Sequence, residues 1–249
     1  MTLTSLAIVI PVFNEIGRLN KFLAVLGHYL EGNRANFFNR YEKLHLVIVD
    51  DGSADFTTSS QLPRWSSGWP SIVNVRHPIN LGQGAALQTG VEFALNILKC
   101  DLFVTMDADG QHQPEDLRIL LDALENSAVD IVFGTRFHGS GVPLEMPRSR
   151  RLILKLALVF ERYLTGLNLS DAHNGFRAFN AKCARRLDLK QNRMAHATEF
   201  KQIVANCKIK YTEAPVRILY SEDTIAKGQR NLDGLKILKD LLTVYLFQS

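Results

Sequence analysis

A chain of 249 residues, 46% hydrophobic and 22% charged, carries enough apolar material for one α/β domain and lacks the composition of a disordered polypeptide. The formal net charge of +4 is small, so nucleic acid is not an expected partner and any basic function falls to local clusters. Cys100, Cys183 and Cys207 are odd in number, far apart and without a CxxC pair, which argues against a disulfide framework or a zinc ribbon and fits a reducing, cytoplasmic setting.

The apolar run at residues 6–12 has no basic leader before it and reads as a first strand rather than a signal peptide. Further strand-like runs lie at 44–49, 72–75, 102–106 and 131–133, with helix-like segments at 17–30, 84–98 and 114–126. This alternation predicts an α/β fold, a mainly parallel sheet flanked by helices. Ligands of such sheets gather at the carboxyl ends of the strands, and the polar motifs fall there. Asn14-Glu15 follows the first strand, Asp50-Asp51-Gly52-Ser53 the second and Asp107-Ala108-Asp109 the fourth.

Past residue 140 the alternation gives way. Arg148, Arg150 and Arg151 precede a helix-like run at 152–164. A polar loop at 170–177, a helix near 198–206, a strand near 216–219 and a terminal helix from about 232 follow. The expectation is a single domain over residues 1–230, its second half a helical extension, then an amphipathic helix over 231–249. No stretch of about 18 uninterrupted apolar residues occurs. The helices at 152–164 and 232–247 place apolar residues at helical spacing among Lys and Arg, which suits a membrane surface, packing on the sheet or a homo-oligomer interface.

Asp107 and Asp109 stand two apart at a strand end, and in extended chain residues i and i+2 point to one side. Two such carboxylates, with the Gln111 amide oxygen near, suit Mg2+ or Mn2+, hard cations that take one or two carboxylates and fill the shell with water and substrate phosphates. An Asp at a strand end also caps helices. The two other acidic loops on the same edge favour the metal reading.

Taken together, Pro11-Val12-Phe13-Asn14-Glu15, Val49-Asp50-Asp51-Gly52-Ser53, Asn80-Leu81-Gly82-Gln83-Gly84-Ala85 and Met106-Asp107-Ala108-Asp109-Gly110-Gln111-His112 resemble the family 2 glycosyltransferases. Among these the chain looks most like the dolichol- and polyprenyl-phosphate mannose or glucose synthases. The likeness continues through Gly134-Thr135-Arg136, Asp171 to Arg177 and Glu213-Ala214-Pro215-Val216, and so covers nearly the whole chain.

The resemblance implies a GT-A fold with a Rossmann-like nucleotide half, and inverting transfer from a UDP- or GDP-sugar with a divalent cation. By that likeness Pro11, Val12, Asn14, Glu15, Asp50, Asp51, Gly52, Ser53, Gly82, Gly84, Asp107 and Ala108 line the nucleotide-sugar pocket, with Asp51 bonded to the base. Asp107, Asp109 and Gln111 hold the metal and diphosphate. Gly82 and Gly84 are no dinucleotide fingerprint, because Leu87 stands where its third glycine belongs; they read as a close backbone approach near the donor or a structural turn.

On the acceptor side, Arg136, Arg148, Arg151, Arg177 and Lys227 are candidates for phosphate, which the planar guanidinium fork suits; Arg150 and Arg230 extend the same basic set. A polyprenyl-phosphate acceptor arrives ionised and needs no strong base, whereas a sugar hydroxyl of a glycolipid or polysaccharide precursor does. Asp171, which matches the family's Asp before Gly-Phe-Arg, and Glu199 are the candidate bases. Asp109, Asp171 and Arg136 form the expected catalytic set. His112, His173 and His196 are scattered and read as hydrogen-bonded loop residues.

The loop Asp171-Ala172-His173-Asn174-Gly175-Phe176-Arg177 departs from the synthases, which commonly carry Thr-Ser before Gly-Phe, and is closer to bacterial cell-envelope transferases. Two further readings are a non-catalytic nucleotide-sugar-binding protein and a nucleotidyltransferase. The intact acids at 50, 51, 107 and 109 weigh against the first. Asn14-Glu15-Ile16-Gly17-Arg18, in place of a Gly-rich basic signature, weighs against the second. A polyprenyl acceptor would bring the protein to the cytoplasmic face of a membrane as a peripheral enzyme.

Overall fold

The computed structural model describes residues 4–55, 69–137, 158–159, 161–171, 174–191 and 195–219. The elements in chain order are β1 (Thr4–Val12), α1 (Ile16–Gly32), α2 (Arg34–Arg40), β2 (Tyr41–Asp50), β3 (Ser71–Arg76), α3 (Gln83–Asn96), β4 (Leu102–Thr105), α4 (Asp116–Asn126) and β5 (Ile131–Thr135). They continue with β6 (Arg177–Asn180), α5 (Ala181–Ala184), α6 (Ala195–Asn206) and β7 (Tyr211–Pro215). Residues 161–165 are helical as well.

The strands form one sheet in the order β3-β2-β1-β4-β6-β5-β7. β1 pairs in parallel with β2 and β4, β2 with β3 and β5 with β7, while β6 runs antiparallel between β4 and β5. A central parallel strand is covered on both faces, which is why β1 reads as an unbroken apolar run. Leu6, Ile8 and Ile10 face one core with Leu19, Leu23 and Leu26 of α1 and Leu117, Leu120 and Leu121 of α4. Ala7 and Val9 face the other core with Leu87 and Val91 of α3 and Phe200 and Val204 of α6. α3 lies close to the sheet because Gly90 has no side chain; a Cβ there would stand 2.4 Å from Val9 Cγ1.

Three elements differ from the sequence reading. α2 and β6 are short, and β6 hides its period by placing the charged Arg177 on a buried face next to Phe179. The last strand is Tyr211–Pro215 rather than 216–219. It lies at the sheet edge with mostly half-buried residues, so its polarity masks it.

Pro215 has no N–H to give a ladder. Beyond it the chain leaves the sheet and crosses the carboxyl edge. Val216 N donates to Thr135 O, Ile218 bridges His112 and Leu219 N donates to Gln111 O. Buried Asp116 fixes this strap by accepting from Arg217 N, Nε and Nη2 at 2.6, 3.0 and 2.8 Å. The expected helix at 152–164 is described only at its end. The boundary at 230 and the helix at 231–249 lie outside the described residues, as do Arg148, Arg150, Arg151, His173, Lys227 and Arg230.

Candidate active site

The carboxyl ends of β1, β2 and β4 deliver the three acidic loops to one edge, as parallel neighbours in register must. After β1, Asn14 takes a left-handed φ of 52°, which Asn tolerates better than most residues. Its N–H donates to Ser53 Oγ at 2.8 Å and its Oδ1 accepts from Ala54 N at 2.8 Å, locking the first loop onto the second. Val12 is turned into the core and meets the second loop through its carbonyl, which accepts from Asp51 N. Pro11 is half-buried on the opposite side of the strand.

Buried Asp50 accepts from Ser53 N at 3.0 Å and pairs with Arg76 Nε at 3.3 Å. Asp51 meets four partners, Leu81 N and His77 Nδ1 at Oδ1 and Gly82 N and Asn80 Nδ2 at Oδ2, all between 2.7 and 2.8 Å. A carboxylate offers about four acceptor positions, so these partners occupy it. Asp51 therefore holds the loop that starts α3, which differs from the expected contact with a base. Gly52 (φ 74°) is needed there, since a Cβ would fall 2.4 Å from Ile79 C.

Gly82 has φ 100° at the N-cap of α3. At Gly84 a Cβ would strike Gln191 O at 2.1 Å and approach His196 Cβ at 2.9 Å, so its smallness serves packing.

In the third loop the Ala108 side chain points into the core, which leaves its main chain to face a ligand. Asp107 and Asp109 flank it, both half-buried. Asp107 Oδ1 accepts from Gln83 Nε2 at 3.1 Å, and Asp109 Oδ1 accepts from Gln111 N at 2.9 Å. Burial pushes the Asp109 carboxyl above its ordinary range, against the Gln111 N–H, and the neighbouring Asp107 and Glu15 carboxylates push it further. Three carboxylates thus crowd one small region, the electrostatic condition that a cation relieves. Glu15 is also bonded to Arg18 at 2.8 Å. Among the described residues no group of three or more His, Cys, Asp or Glu forms a metal cage.

Arg136, just past β5, binds Asp171 from N at 3.1 Å, Nε at 2.7 Å and Nη2 at 2.7 Å. The Asp171 side chain is 1% exposed and that of Arg136 13%. Asp171 is occupied by this guanidinium, which corrects its expected place as a base. Glu199 is occupied too, by Lys190 N at 3.0 Å and Gln191 N at 2.8 Å.

Arg177 is the second correction. It is buried, with its guanidinium 4.5 Å over the Phe200 ring. Burial lowers its pKa to about 10, opposed by the Asp107 and Glu161 carboxylates. Next to it Lys201 Nζ meets Glu161 Oε2 at 2.5 Å. Arg177 is a core cation, not a surface ligand for phosphate.

Sequence reasoning gave no role to Gln83, and His112, read as a hydrogen-bonded loop residue, is one. Asp107 N donates to His112 Nδ1 at 3.1 Å, and burial pushes this imidazole below its ordinary pKa against the pull of Asp107 and Asp109.

Residues 7–187 match the model of glycosyl transferase family 2. The chain belongs to this family. It is a glycosyltransferase, and its sheet and helices are those of the GT-A fold. Over 94% of its length it is 28% identical to a UDP-N-acetylglucosamine–dolichyl-phosphate N-acetylglucosaminyltransferase of Methanococcus voltae, of which it covers 94%. Over 73% of its length it is 33% identical to an undecaprenyl-phosphate mannosyltransferase of Micrococcus luteus, of which it covers 68%. Among solved structures, glucosyl-3-phosphoglycerate synthase from Mycobacterium tuberculosis, in complex with Mn2+, UDP and phosphoglyceric acid, aligns with a TM-score of 0.63 at 13% identity. That alignment covers 98% of this chain and 78% of the synthase. No helix among the described residues of this family 2 transferase is long and apolar enough to cross a membrane.

Proposed function

We propose that the protein transfers a sugar, with inversion, from a UDP- or GDP-sugar to polyprenyl phosphate. The observation that carries the acceptor is the likeness, over nearly the full chain, to a relative named for transfer to dolichyl phosphate, with a second named for undecaprenyl phosphate. The site favours the same acceptor. Transfer to a sugar hydroxyl calls for a free carboxylate base, and both candidates are engaged, Asp171 by Arg136 and Glu199 by the amides of residues 190 and 191. A phosphate monoester brings its own charged oxygen.

In this reading the loops after β1 and β2 hold the nucleoside, through the rim made by Pro11, Asn14 and Glu15, with buried Ser53 bracing Asn14. Asp50, Asp51, Gly52 and Gly82 shape that rim from behind. Asp107 and Asp109, with Gln111, would hold a divalent cation, Mg2+ or Mn2+. The donor set fits, being all oxygen and crowded with negative charge. Two carboxylates without a wider cage suit an ion shared with the diphosphate. When bound, such an ion neutralises charge that develops on the departing nucleoside diphosphate.

Arg136, oriented by Asp171, is the cation that would meet the acceptor phosphate. A polyprenyl acceptor places the enzyme at a membrane surface, on the cytoplasmic face. The test is an acceptor panel with UDP- and GDP-hexoses: polyprenyl phosphate, the corresponding polyprenol and a glycolipid hydroxyl acceptor. Turnover on the phosphate alone supports the proposal; turnover on the hydroxyl acceptor alone overturns it.

A further inference from the structure

Resting on the reading of Asp107 as a cation ligand, we propose that His112 is the positioning residue that holds the Asp107 carboxylate in its binding attitude and ties that carboxylate to the acceptor-side loops. Three contacts and burial place this residue. Its ring stacks on Phe176 with centroids 4.9 Å apart and planes 23° from parallel. Its backbone bridges Ile218 of the strap. It is buried, at 4% exposure. The main-chain N–H of Asp107 donates to Nδ1 at 3.1 Å.

The last contact fixes the chemistry of the ring. An Nδ1 that accepts an N–H carries no proton of its own, so the hydrogen resides on Nε2. Nε2 lies 3.8 Å from Asp107 Oδ2, beyond hydrogen-bonding distance but near enough for its N–H dipole to favour that oxygen. The other oxygen, Oδ1, accepts from Gln83 Nε2 at 3.1 Å. The main chain at Gly175 closes the remaining side, where a Cβ would stand only 2.8 Å from Oδ2.

Asp107 is thus bracketed by a β4-loop imidazole, an α3 amide and the 174–177 segment. Its side chain is still 35% exposed. Partners that orient a ligating carboxylate in this way commonly change metal affinity by about 10–100-fold when removed. The ring packs on Phe176 and the main chain of His112 bridges Ile218, so the residue links the Asp107 loop to both acceptor-side segments.

The test compares wild type, His112→Phe, His112→Asn and Asp107→Ala by Mn2+ titration. Electron paramagnetic resonance reads free Mn2+ with UDP or GDP present, and thermal melting is followed in parallel. Phenylalanine keeps the stacking but neither accepts nor donates. Asparagine can offer Oδ1 to the Asp107 N–H. The expected result is Mn2+ binding weakened about 10–100-fold in His112→Phe, metal-free nucleotide affinity unchanged, and recovery of most of the loss in His112→Asn.

If His112→Phe is folded and binds Mn2+ within twofold of wild type while Asp107→Ala does not bind, positioning by His112 is overturned and the cation site stands. If His112→Phe does not fold, His112→Asn decides against wild type: near-wild-type Mn2+ binding supports the hydrogen-bonded role, and loss as deep as that of Asp107→Ala overturns it. Wild type that binds no Mn2+ with either nucleotide overturns the cation site itself, and this inference with it.

Discussion

Arg136 and Asp171 form a buried fork, two side-chain bonds of 2.7 Å each reinforced by the Arg136 main-chain N–H. Such a pair aims an arginine more than it supplies a base. Asp171→Asn keeps the shape and gives up the charge. It should raise the KM for polyprenyl phosphate about tenfold while the pH profile of kcat keeps its form. Loss of a true general base would instead lower kcat by about 10²–10⁴ and remove the limb of the profile that base controls. Steady-state kinetics over about pH 5 to 8 separates the two.

The proposed cation site joins Asp107 and Asp109, with Glu15 near enough to add to their negative charge. Asp109→Asn should lower transfer at least about 10²-fold, comparable to loss of a dedicated electrostatic stabiliser. Its melting temperature should stay near that of wild type, because removing charge from a crowded carboxylate group does not open a cavity. Chelation of wild type should abolish transfer and added Mn2+ or Mg2+ restore it. Full turnover in the presence of excess chelator would contradict this.

Glu161, Lys201 and Arg177 form a buried set in which one anion faces two cations. Removing Lys201 leaves Glu161 beside Arg177, while removing Glu161 takes away the anion that both cations share. Glu161→Gln should therefore destabilise more than Lys201→Met. The losses in urea unfolding should be of the order of the 3–5 kcal/mol seen when one partner of a buried pair is taken away. Equal losses would mean that Arg177 is not part of the set.

Asp130 accepts from Lys182 Nζ at 2.7 Å and Asn180 Nδ2 at 3.1 Å, fastening β6 to the start of β5. Burial alone would raise its carboxyl, but these bonds and Lys210 N outweigh it and hold the pKa below the ordinary value. A depressed folded value contributes stability above the unfolded pKa of about 3.9, lost as pH falls through the folded value. Asp130→Asn should cost about 1–2 kcal/mol at pH 7, and the gap should close in acid. A gap that stays constant down to about pH 2 would contradict this.

The strands and acidic loops were legible because a parallel sheet writes continuous apolar runs such as Leu6–Val12 and ends them in polar turns. What escaped depends on side-chain partners far away in sequence. Asp51 looked like a nucleotide ligand until Leu81, Gly82, Asn80 and His77 were seen to fill it, about 30 residues on. Arg177 looked like a surface cation because charge normally marks the surface, and only its contact with Phe200 shows the interior position. His112 was one of several scattered histidines until the Asp107 amide singled it out.

The most direct test identifies both products of one reaction. The protein is incubated with Mn2+, polyprenyl phosphate and each of the UDP- and GDP-hexoses, and nucleotide and lipid are analysed together by mass spectrometry. Sugar transfer to the lipid phosphate should release nucleoside diphosphate and an equal amount of a polyprenyl monophosphate hexose. Nucleoside monophosphate paired with a polyprenyl diphosphate sugar, or a sugar-bearing hydroxyl acceptor with the lipid phosphate left unused, would contradict it.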